Sequence, residues 1–325
     1  MIDWDGCRWD GHSGHYESWF QRANHPTRPL ALWIRHTLFC PKGKPAAAEG
    51  EIWSVWFDGE KGKTIAGKTE IPRRDCSFDL KGLDVKMPGA QLKPGALEGG
   101  TGRLKWNLTW ADGGPTSLLL PESLYAGGFP KAKAVCSVPN ARFSGTYQVD
   151  GESHAIDAWP GSHNHNWGSQ HTDRYAWAQV CGFDDAPDVF LECGTGQVKI
   201  GPIMTPKVTL AVLNLEGRRL ELNGIARGGL ATAHVDGFGW KFSTSADGVE
   251  LDVAVDAPSS RFAALRYRNP PAGAKACLNS KIARCTMTVR ENGKSRSFTS
   301  AHRAAFEILC EENDPRVAAV GGFQV

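Results

Sequence analysis

The sequence lacks the features of a membrane-spanning, secreted or nucleotide-binding protein. No stretch of its 325 residues approaches the roughly 18 consecutive apolar residues of a membrane span, and residues 1–6 carry neither the basic nor the apolar part of a signal peptide. The glycine motifs of Rossmann folds, P-loops and serine hydrolases are also missing. We therefore expect a cytoplasmic protein without a nucleotide cofactor.

Strong charge of either sign is absent as well. The 37 Lys and Arg residues balance 35 Asp and Glu residues, which leaves a formal net charge of +2. Such a chain offers no large field to hold nucleic acid. We expect no nucleic-acid partner, and the balance agrees with a neutral, apolar ligand.

Cysteine is present in an odd number and without paired spacing. The nine cysteines include no Cys-x-x-Cys motif. We therefore expect reduced, mostly buried thiols, with a disulfide between Cys277 and Cys285 as the alternative.

Turn and strand signals dominate what the sequence does contain. It has 12 Trp and 37 Gly but 4 Met, and Asp-Gly or Asn-Gly dipeptides recur between segments of alternating polarity. These dipeptides favour two-residue hairpin turns, and residues 249–255 show the period-2 pattern of a half-buried strand. Convincing helices are scarce: residues 301–312 fit a helix or a last strand. The fold class predicted is mostly antiparallel β, of barrel or sandwich type.

Two segments are apolar on both faces, and the length suggests two cores. Residues 31–39 and 175–181 lack a polar face, so each strand should lie between two layers or line an apolar cavity. A chain of this length suits two units of roughly 150 residues. The weakly patterned region 130–142 is the best place for the boundary.

The densest group of reactive side chains lies between Asp157 and Glu192. Three histidines fall within nine residues (His163, His165 and His171) among several aromatic rings. One hypothesis is a Zn or Fe site formed by these histidines. A second is acid catalysis in an apolar pocket, where a buried carboxyl keeps its proton and rings stabilise a carbocation. The alternative is that rings and histidines belong to an ordinary core.

A second patch, residues 11–22, places Glu17 among aromatic residues. Glu17 and Trp19 share a face if the segment is a strand. A role for Glu17 beside the site competes with an ordinary buried ion pair to an arginine such as Arg35.

Three parts of the chain carry a resemblance to known proteins. They are His165-Asn166-Trp167-Gly168 with residues 175–179, the opening segment 16–22, and the C-terminal run 276–307. Together they resemble the carotenoid 1,2-hydratase (hydroxyneurosporene synthase) family and the related tocopherol cyclases.

The resemblance implies an all-β fold of two tandem lipocalin-like antiparallel β-barrel or sandwich domains with little helix. We expect an N-terminal domain over 1–140 and a C-terminal domain over 141–325 that carries the His-Asn-Trp-Gly motif. Both families protonate a carbon–carbon double bond of an isoprenoid chain without a redox cofactor. His165 and Trp167 match the proposed catalytic groups. The family's Tyr-x-Asp falls on Phe190-Leu191-Glu192, where Glu192 can serve as the acid but Phe190 lacks the hydroxyl.

The sequence thus leads to a cofactor-independent, metal-free hydratase or cyclase of a hydrophobic, isoprenoid-like substrate. Glu192 would donate the proton, and His165 would orient it or handle water beside Trp167. The expected substrate-binding residues are Trp159, Tyr175, Trp177, Gln179, Phe190, Glu17 and Trp19. Peripheral contact with a membrane is the expected route of substrate uptake. The alternatives are a non-enzymatic lipocalin-like carrier of a hydrophobic small molecule and a metal-dependent enzyme.

Overall fold

A computed structural model describes residues 4–325, and these residues form an almost entirely antiparallel β structure. Its two α-helices are short, α1 (Ile225–Gly228) and α2 (Pro315–Ala319). The strands are β1 (His15–Asn24), β2 (Leu30–Cys40), β3 (Glu49–Asp58), β4 (Lys63–Pro72), β5 (Ser77–Phe78), β6 (Val85–Met87), β7 (Ala90–Lys93), β8 (Ala96–Thr101), β9 (Leu104–Ala111), β10 (Ser117–Leu118), β11 (Ala132–Val149), β12 (Glu152–Gly168), β13 (Arg174–Phe183), β14 (Ala186–Gln197), β15 (Lys199–Ile200), β16 (Ile203–Met204), β17 (Val208–Leu215), β18 (Arg218–Leu222), β19 (Thr232–Asp236), β20 (Gly239–Ala246), β21 (Val249–Asp256), β22 (Ala263–Arg268), β23 (Ala274–Glu291) and β24 (Lys294–Cys310). The all-β prediction is confirmed.

Two large curled sheets contain nearly all of these strands. The first follows the order β4-β3-β2-β1-β12-β11-β9-β8-β7-β6-β5, with β10 paired to β11. The second follows β18-β17-β14-β13-β24-β23-β21-β20-β19, with β22 paired to β23. Each sheet encloses its own hydrophobic core: Trp19, Leu32 and Trp56 belong to the first, and Leu191 and Trp240 to the second.

Several hairpins use the turn residues that the sequence indicated. Both residues of Asp150-Gly151, Asp247-Gly248 and Asn292-Gly293 have positive φ. They join β11 to β12, β20 to β21 and β23 to β24. Positive φ at both central positions matches the twist of the flanking strands, which explains the choice of Asp, Asn and Gly.

A third hydrophobic cluster joins the two sheets. Trp33 and Trp53, from β2 and β3, pack there with Leu265, Cys277 and Leu309 of the second sheet. Every residue of β2 is buried, because one face contacts the first core and the other contacts this cluster. We call the space between the sheets the inter-sheet layer; the apolar character of residues 31–39 follows from it.

The sheets divide the chain at a different place from the predicted boundary. Residue 140 lies inside β11, and β12, which carries His165 and Trp167, belongs to the first sheet. The second sheet begins at Arg174, so the motif expected in a C-terminal unit lies in the N-terminal sheet. The reason is that β12 lies in the middle of the first sheet, where it pairs with both β1 and β11. Whether the halves are separate domains stays a prediction.

Other sequence expectations can be compared directly with the structure. Residues 301–310 continue β24, so the helical alternative for this segment is wrong. All nine cysteines are free and buried, and Cys277 and Cys285 contact different hydrophobic clusters. Within residues 4–325, no helix is both long enough and apolar enough to span a membrane.

Arg22 is the most extensively bonded side chain between the sheets. It is fully buried on β1. Its guanidinium donates to the side-chain oxygen of Gln179 (3.0 Å), to Asn24 (2.7 Å) and to the backbone oxygens of Gln179 and Arg303. A contact of 3.0 Å to Cys181 Sγ completes the set.

Replacing Arg22 by Met should therefore lower the free energy of unfolding by at least about 3 kcal/mol, because several buried acceptors lose their donor. Denaturant titration would measure the loss. Arg28→Met is the matched control, because Arg28 pairs with Glu60 at an exposed site and its removal should leave stability almost unchanged. If both substitutions lowered the free energy of unfolding equally, Arg22 would not be a specific link between the two sheets.

Candidate functional site

The first candidate cluster lies on the inner face of the first sheet, where β1 pairs with β12. The register places Glu17 opposite Trp167 and Trp19 opposite His165. Directly paired residues of antiparallel strands share a face, so all four side chains meet. The structure thus brings together four of the residues that the sequence singled out.

Glu17 is an ionised carboxylate at the centre of this cluster. It is fully buried and lies 2.8 Å from His165 Nε2 and 3.0 Å from His15 Nε2. The backbone N–H of Arg8 donates to both carboxylate oxygens, at 2.8 and 2.9 Å. Burial alone would raise the pKa of Glu17, but the hydrogen bonds from His15 and His165 lower it to about 2. Glu17 is therefore no proton donor near neutral pH.

His165 has an acceptor at each ring nitrogen. Nε2 faces Glu17, and Nδ1 lies 2.5 Å from the backbone oxygen of Trp4. Both partners are hydrogen-bond acceptors, and together they fix the orientation of the ring. The rings of Trp19 and Trp167 each lie 4.8 Å from it, centroid to centroid, and pack against it. His165 thereby holds the N-terminal segment against the barrel and has no free nitrogen for a substrate.

The alternative partner for Glu17, Arg35, is wrong. Glu17 pairs with Leu38 and Arg35 pairs with Phe20 across β1 and β2. One side chain therefore points into the first core and the other into the inter-sheet layer. The alternating pattern along each strand does not give the pairing register, so the sequence alone could not decide whether Glu17 and Arg35 share a face.

The three histidines proposed as metal ligands do not converge. His163 hydrogen-bonds Gln21 at 2.8 Å on the inner face of the first sheet, whereas His171 bonds the backbone oxygen of Arg268 on β22 of the second sheet. Among residues 4–325, the only group of three or more His, Cys, Asp or Glu side chains with donor atoms within 4.8 Å is Glu49, Glu51 and Glu70. Arg268 already forms ion pairs with all three of these.

The second candidate cluster surrounds Glu192 in the inter-sheet layer. Glu192 pairs with Gln179 of β13, and its side chain is 2% exposed. Trp177 Nε1 donates to Oε1 at 3.3 Å, while Oε2 is buried without a hydrogen-bond partner among the described residues. His165 points away on the opposite face of β12, so Glu192 and His165 do not share one pocket.

The Glu192 carboxyl is poised to hold a proton near neutral pH. Burial raises its pKa to about 7. The hydrogen bond from Trp177, the nearby Ser117 hydroxyl and the charges of Arg22 and Arg219 lower the pKa without offsetting burial. Glu192 is thus a partly protonated acid with one unbonded oxygen, which is the arrangement that general acid catalysis requires.

A segment between β9 and β11 covers Glu192. Leu119 packs against Gly194, two residues from Glu192 on the same strand face. Arg219 holds the backbone oxygen of Thr116 at 2.7 Å, and Tyr125 donates to the backbone oxygen of Ala134 at 2.6 Å. We call residues 116–125 the cover.

The remaining predicted site residues fall into separate places. Gln179 accepts from Arg22 and Ser162, and Phe190 packs with Cys136 and Cys181; both face the inter-sheet layer near Glu192. Trp159 is not near either cluster, because it packs in the first core beside Trp56 and His25.

A third buried group was not found by sequence reasoning. Glu307 accepts from Lys281 Nζ at 2.8 Å, Asn279 at 2.9 Å and the Tyr175 hydroxyl at 3.0 Å. Burial lowers the pKa of Lys281, and the lysine in turn holds the pKa of Glu307 below its usual value against burial. Lys281 also lies over Trp177, so this ion pair adjoins the Glu192 cluster. The signal in the sequence that could have identified this group was the presence of charged residues within long, largely apolar strands.

Comparisons with known proteins agree on the fold. The chain has the lipocalin-like, two-sheet β fold that the sequence resemblance implied. The crystal structure of a Nitrosomonas europaea protein provisionally assigned as AttH covers 95% of this chain and 98% of its own, with a TM-score of 0.59 and 12% identity. Kievitone hydratase from Nectria haematococca covers 92% of this chain and 89% of its own, with a TM-score of 0.54 and 12% identity.

Sequence relatives carry no functional name. An uncharacterized protein of Mycobacterium tuberculosis, found in strains CDC 1551 / Oshkosh and ATCC 25618 / H37Rv, is 24% identical over 287 residues, which span 85% of this chain and 82% of the relative. No protein-family model matches the chain.

Replacing Glu17 by Gln should lower the free energy of unfolding by about 3 kcal/mol at pH 7, because it removes the ionised acceptor at the centre of a buried hydrogen-bond network. The Glu17 pKa is depressed, so its contribution is present above pH 4.5 and is lost as the pH falls toward 2. Denaturant titrations between pH 3 and pH 7 should show the two proteins converging in acid. The exposed Glu98→Gln serves as control. If the difference in the free energy of unfolding between wild type and Glu17→Gln did not change with pH, the ionised state of buried Glu17 would be contradicted.

Glu192→Gln should have the opposite pH signature. The raised pKa means that wild-type stability is full below pH 4.5 and declines as the pH rises through about 7. Relative to the variant, the wild type should lose up to about 3 kcal/mol between pH 5 and pH 8, at about 1.4 kcal/mol per pKa unit. If both proteins show the same pH dependence of unfolding, Glu192 is not a buried neutral acid.

Proposed function

We propose that the protein is a cofactor-independent hydratase or cyclase that protonates a carbon–carbon double bond of a hydrophobic, isoprenoid-like substrate. The observation that carries the proposal is the Glu192 carboxyl: buried, partly protonated at neutral pH and with one oxygen unbonded. The fold likeness to kievitone hydratase supports a hydratase-type reaction. A cytoplasmic location and uptake by peripheral contact with a membrane belong to the same proposal.

The chemistry follows from the groups around Glu192. Its O–H bond breaks as a new C–H bond forms on the alkene, which leaves a carbocation on the substrate and a carboxylate on the enzyme. Trp177 Nε1 then donates to that carboxylate, and the faces of Trp177 and Phe190 stabilise the cation. Water or a hydroxyl of the substrate adds to the carbon, and its proton returns to Glu192. Hydration and cyclisation differ only in whether the oxygen that adds to the carbocation comes from water or from a hydroxyl of the substrate.

His165 and Trp167 act through position in this proposal. Trp167 contacts the ring of Tyr125, 6.1 Å between centroids, and Tyr125 belongs to the cover. The His165–Glu17 pair fixes Trp167 and so supports the cover from the opposite side of β12. A substrate reaches Glu192 only when the cover moves, because the carboxyl is closed off in this structure.

A non-enzymatic carrier of a hydrophobic molecule is the second candidate. It is favoured by the same enclosed, aromatic surroundings, which exclude water from any ligand that enters. A carrier has no use for a protonated carboxyl, so the two functions respond differently to removal of that group.

The test begins with extraction and mass spectrometry of hydrophobic molecules that co-purify with the protein, to supply the substrate for an assay. Glu192→Gln should lower kcat by at least about a hundredfold, since general acid catalysis contributes that much. Wild-type kcat should fall as the pH rises through about 7, the range in which Glu192 ionises. The exposed Glu250→Gln is the control. Undiminished turnover in Glu192→Gln rules out the acid role, and binding without any turnover in the wild type favours the carrier.

A further inference from the structure

Four large aliphatic side chains are exposed on two loops of the second half of the chain. Ile200 and Ile203, on either side of the turn between β15 and β16, are 59% and 70% exposed. Ile225, the first residue of α1, and Leu230, just after it, are 43% and 85% exposed. Exposed aliphatic residues that occur singly are ordinary, whereas a group of them on adjoining loops indicates an interaction surface.

The two loops lie at the same end of the second sheet. The β15–β16 hairpin is separated from the start of β17 by three residues, so it lies within about 14 Å of that strand. The α1 segment packs on the same strand, because a Cβ on Gly228 would lie 3.0 Å from Val208. Lys207 Nζ donates to the backbone oxygen of Ala233 at 3.0 Å and so joins the chain after the hairpin to the chain after α1.

The charge on these loops is positive. Residues 198–215 and 222–235 contain no Asp or Glu, while Lys199 and Lys207 are exposed beside the aliphatic side chains. An anionic lipid surface binds this combination, because apolar side chains enter the boundary between headgroups and acyl chains and lysines are attracted to the headgroups.

Two carboxylates from other segments lie close to the loops without reversing this charge. Asp173 is buried and accepts from the backbone N–H of Lys199 at 2.7 Å. Asp247 is exposed but forms an ion pair with Arg227 at 3.6 Å. The side chains of Lys199 and Lys207 therefore keep their charge available for an anionic partner.

The same end of the sheet leads to the cover and to Glu192. Asn223, two residues before α1, donates to the backbone oxygen of Leu118 in the cover at 3.3 Å. Along β14, Glu192, Gly194 and Gly196 alternate on one face, so no side chain rises from β14 between Glu192 and the strand end that carries the hairpin. Glycine inside a strand often marks a place where a ligand approaches the backbone.

We propose that this end of the second sheet docks on an anionic lipid membrane. The docking surface consists of the four exposed aliphatic residues and two lysines: Ile200, Ile203, Ile225, Leu230, Lys199 and Lys207. It rests on the proposed function in one respect, since the membrane supplies the hydrophobic substrate that moves along β14 beneath the cover to Glu192. Docking itself requires no reaction.

The first experiment measures co-sedimentation with vesicles. The wild type should bind vesicles of equal parts phosphatidylcholine and phosphatidylglycerol at least about tenfold more tightly than vesicles of phosphatidylcholine alone, and added salt should weaken the binding. Combining Ile200→Ser, Ile203→Ser and Leu230→Ser should weaken it at least about tenfold. Leu80→Ser is the matched control, because Leu80 is 67% exposed beside β5 of the first sheet. No vesicle binding by the wild type, or equal losses in variant and control, overturns the proposal.

A second pair of variants tests the charges. Lys199→Gln combined with Lys207→Gln should lose at least about tenfold in affinity for the mixed vesicles and should bind phosphatidylcholine vesicles as the wild type does. Lys81→Gln combined with Lys105→Gln, two exposed lysines of the first half of the chain, is the control. An unchanged preference for the mixed vesicles in the first pair contradicts docking through these lysines.

A fluorescent label reports on the surface without removing it. All nine native cysteines are buried, so a maleimide dye should react selectively with Ile203→Cys. Its emission should shift to the blue when mixed vesicles are added, and the same dye on Leu80→Cys should not respond. If the surface instead joins two copies of the chain, the Ile203→Cys label shifts with protein concentration and ignores vesicles, which overturns the proposal.

Glu192→Gln separates docking from the proposed reaction. This variant should bind mixed vesicles as the wild type does, because Glu192 is buried away from the docking surface. Unchanged turnover in Glu192→Gln removes the acid role and leaves docking supported by vesicle binding. Failure of the wild type to bind vesicles removes docking, while turnover of substrate dispersed in detergent still tests Glu192.

Discussion

The packing of the two sheets against each other is the constraint on which the rest of this structure depends. Because β1, β2, residues 159–165 of β12 and residues 178–183 of β13 are covered on both faces, polar side chains there cannot reach water and must find partners inside the protein. Arg22 does so by reaching across the layer to Gln179 of β13 and to the backbone of Arg303, and by bonding Asn24 on its own strand. The same closure creates the low-dielectric surroundings in which a carboxyl such as Glu192 retains its proton.

Three buried ionisable groups show how differently one fold can treat charge. Glu17 receives hydrogen bonds from two imidazoles and a backbone amide and stays ionised. Glu192 has only weak donors in Trp177 and Ser117, and burial leaves it partly protonated near pH 7. Arg35, always charged, lies between rings without an acceptor. Glu17 has a full set of hydrogen-bond partners and fixes structure, whereas Glu192 Oε2 and Arg35 Nε are buried without a hydrogen-bond partner among the described residues.

The sequence predicted those turn and strand features that depend only on residues close together along the chain. Asp-Gly and Asn-Gly pairs located hairpins, and the two-faced apolar character of residues 31–39 indicated a central strand. Register and closure are not local: the pairing of β1 with β12 across more than a hundred residues decided that Glu17 meets His165 rather than Arg35. The same pairing moved the His-Asn-Trp-Gly motif into the first sheet and separated His165 from Glu192. Glu307 and Lys281 escaped notice because only β23–β24 pairing makes them neighbours.

Burial along β2 and β9 sets how freely each strand can change during evolution. In β9 every second residue is exposed, so half of its positions can accept substitution without touching a core. In β2 no residue is exposed, and each side chain must suit one of two packed surfaces. Substitutions at the level of divergence seen among structures of this fold should therefore fall mainly at the exposed, alternate positions of strands such as β9. Along β2, a substitution that alters packing against one sheet must be accommodated by the other sheet, so the two halves of the chain are expected to change together.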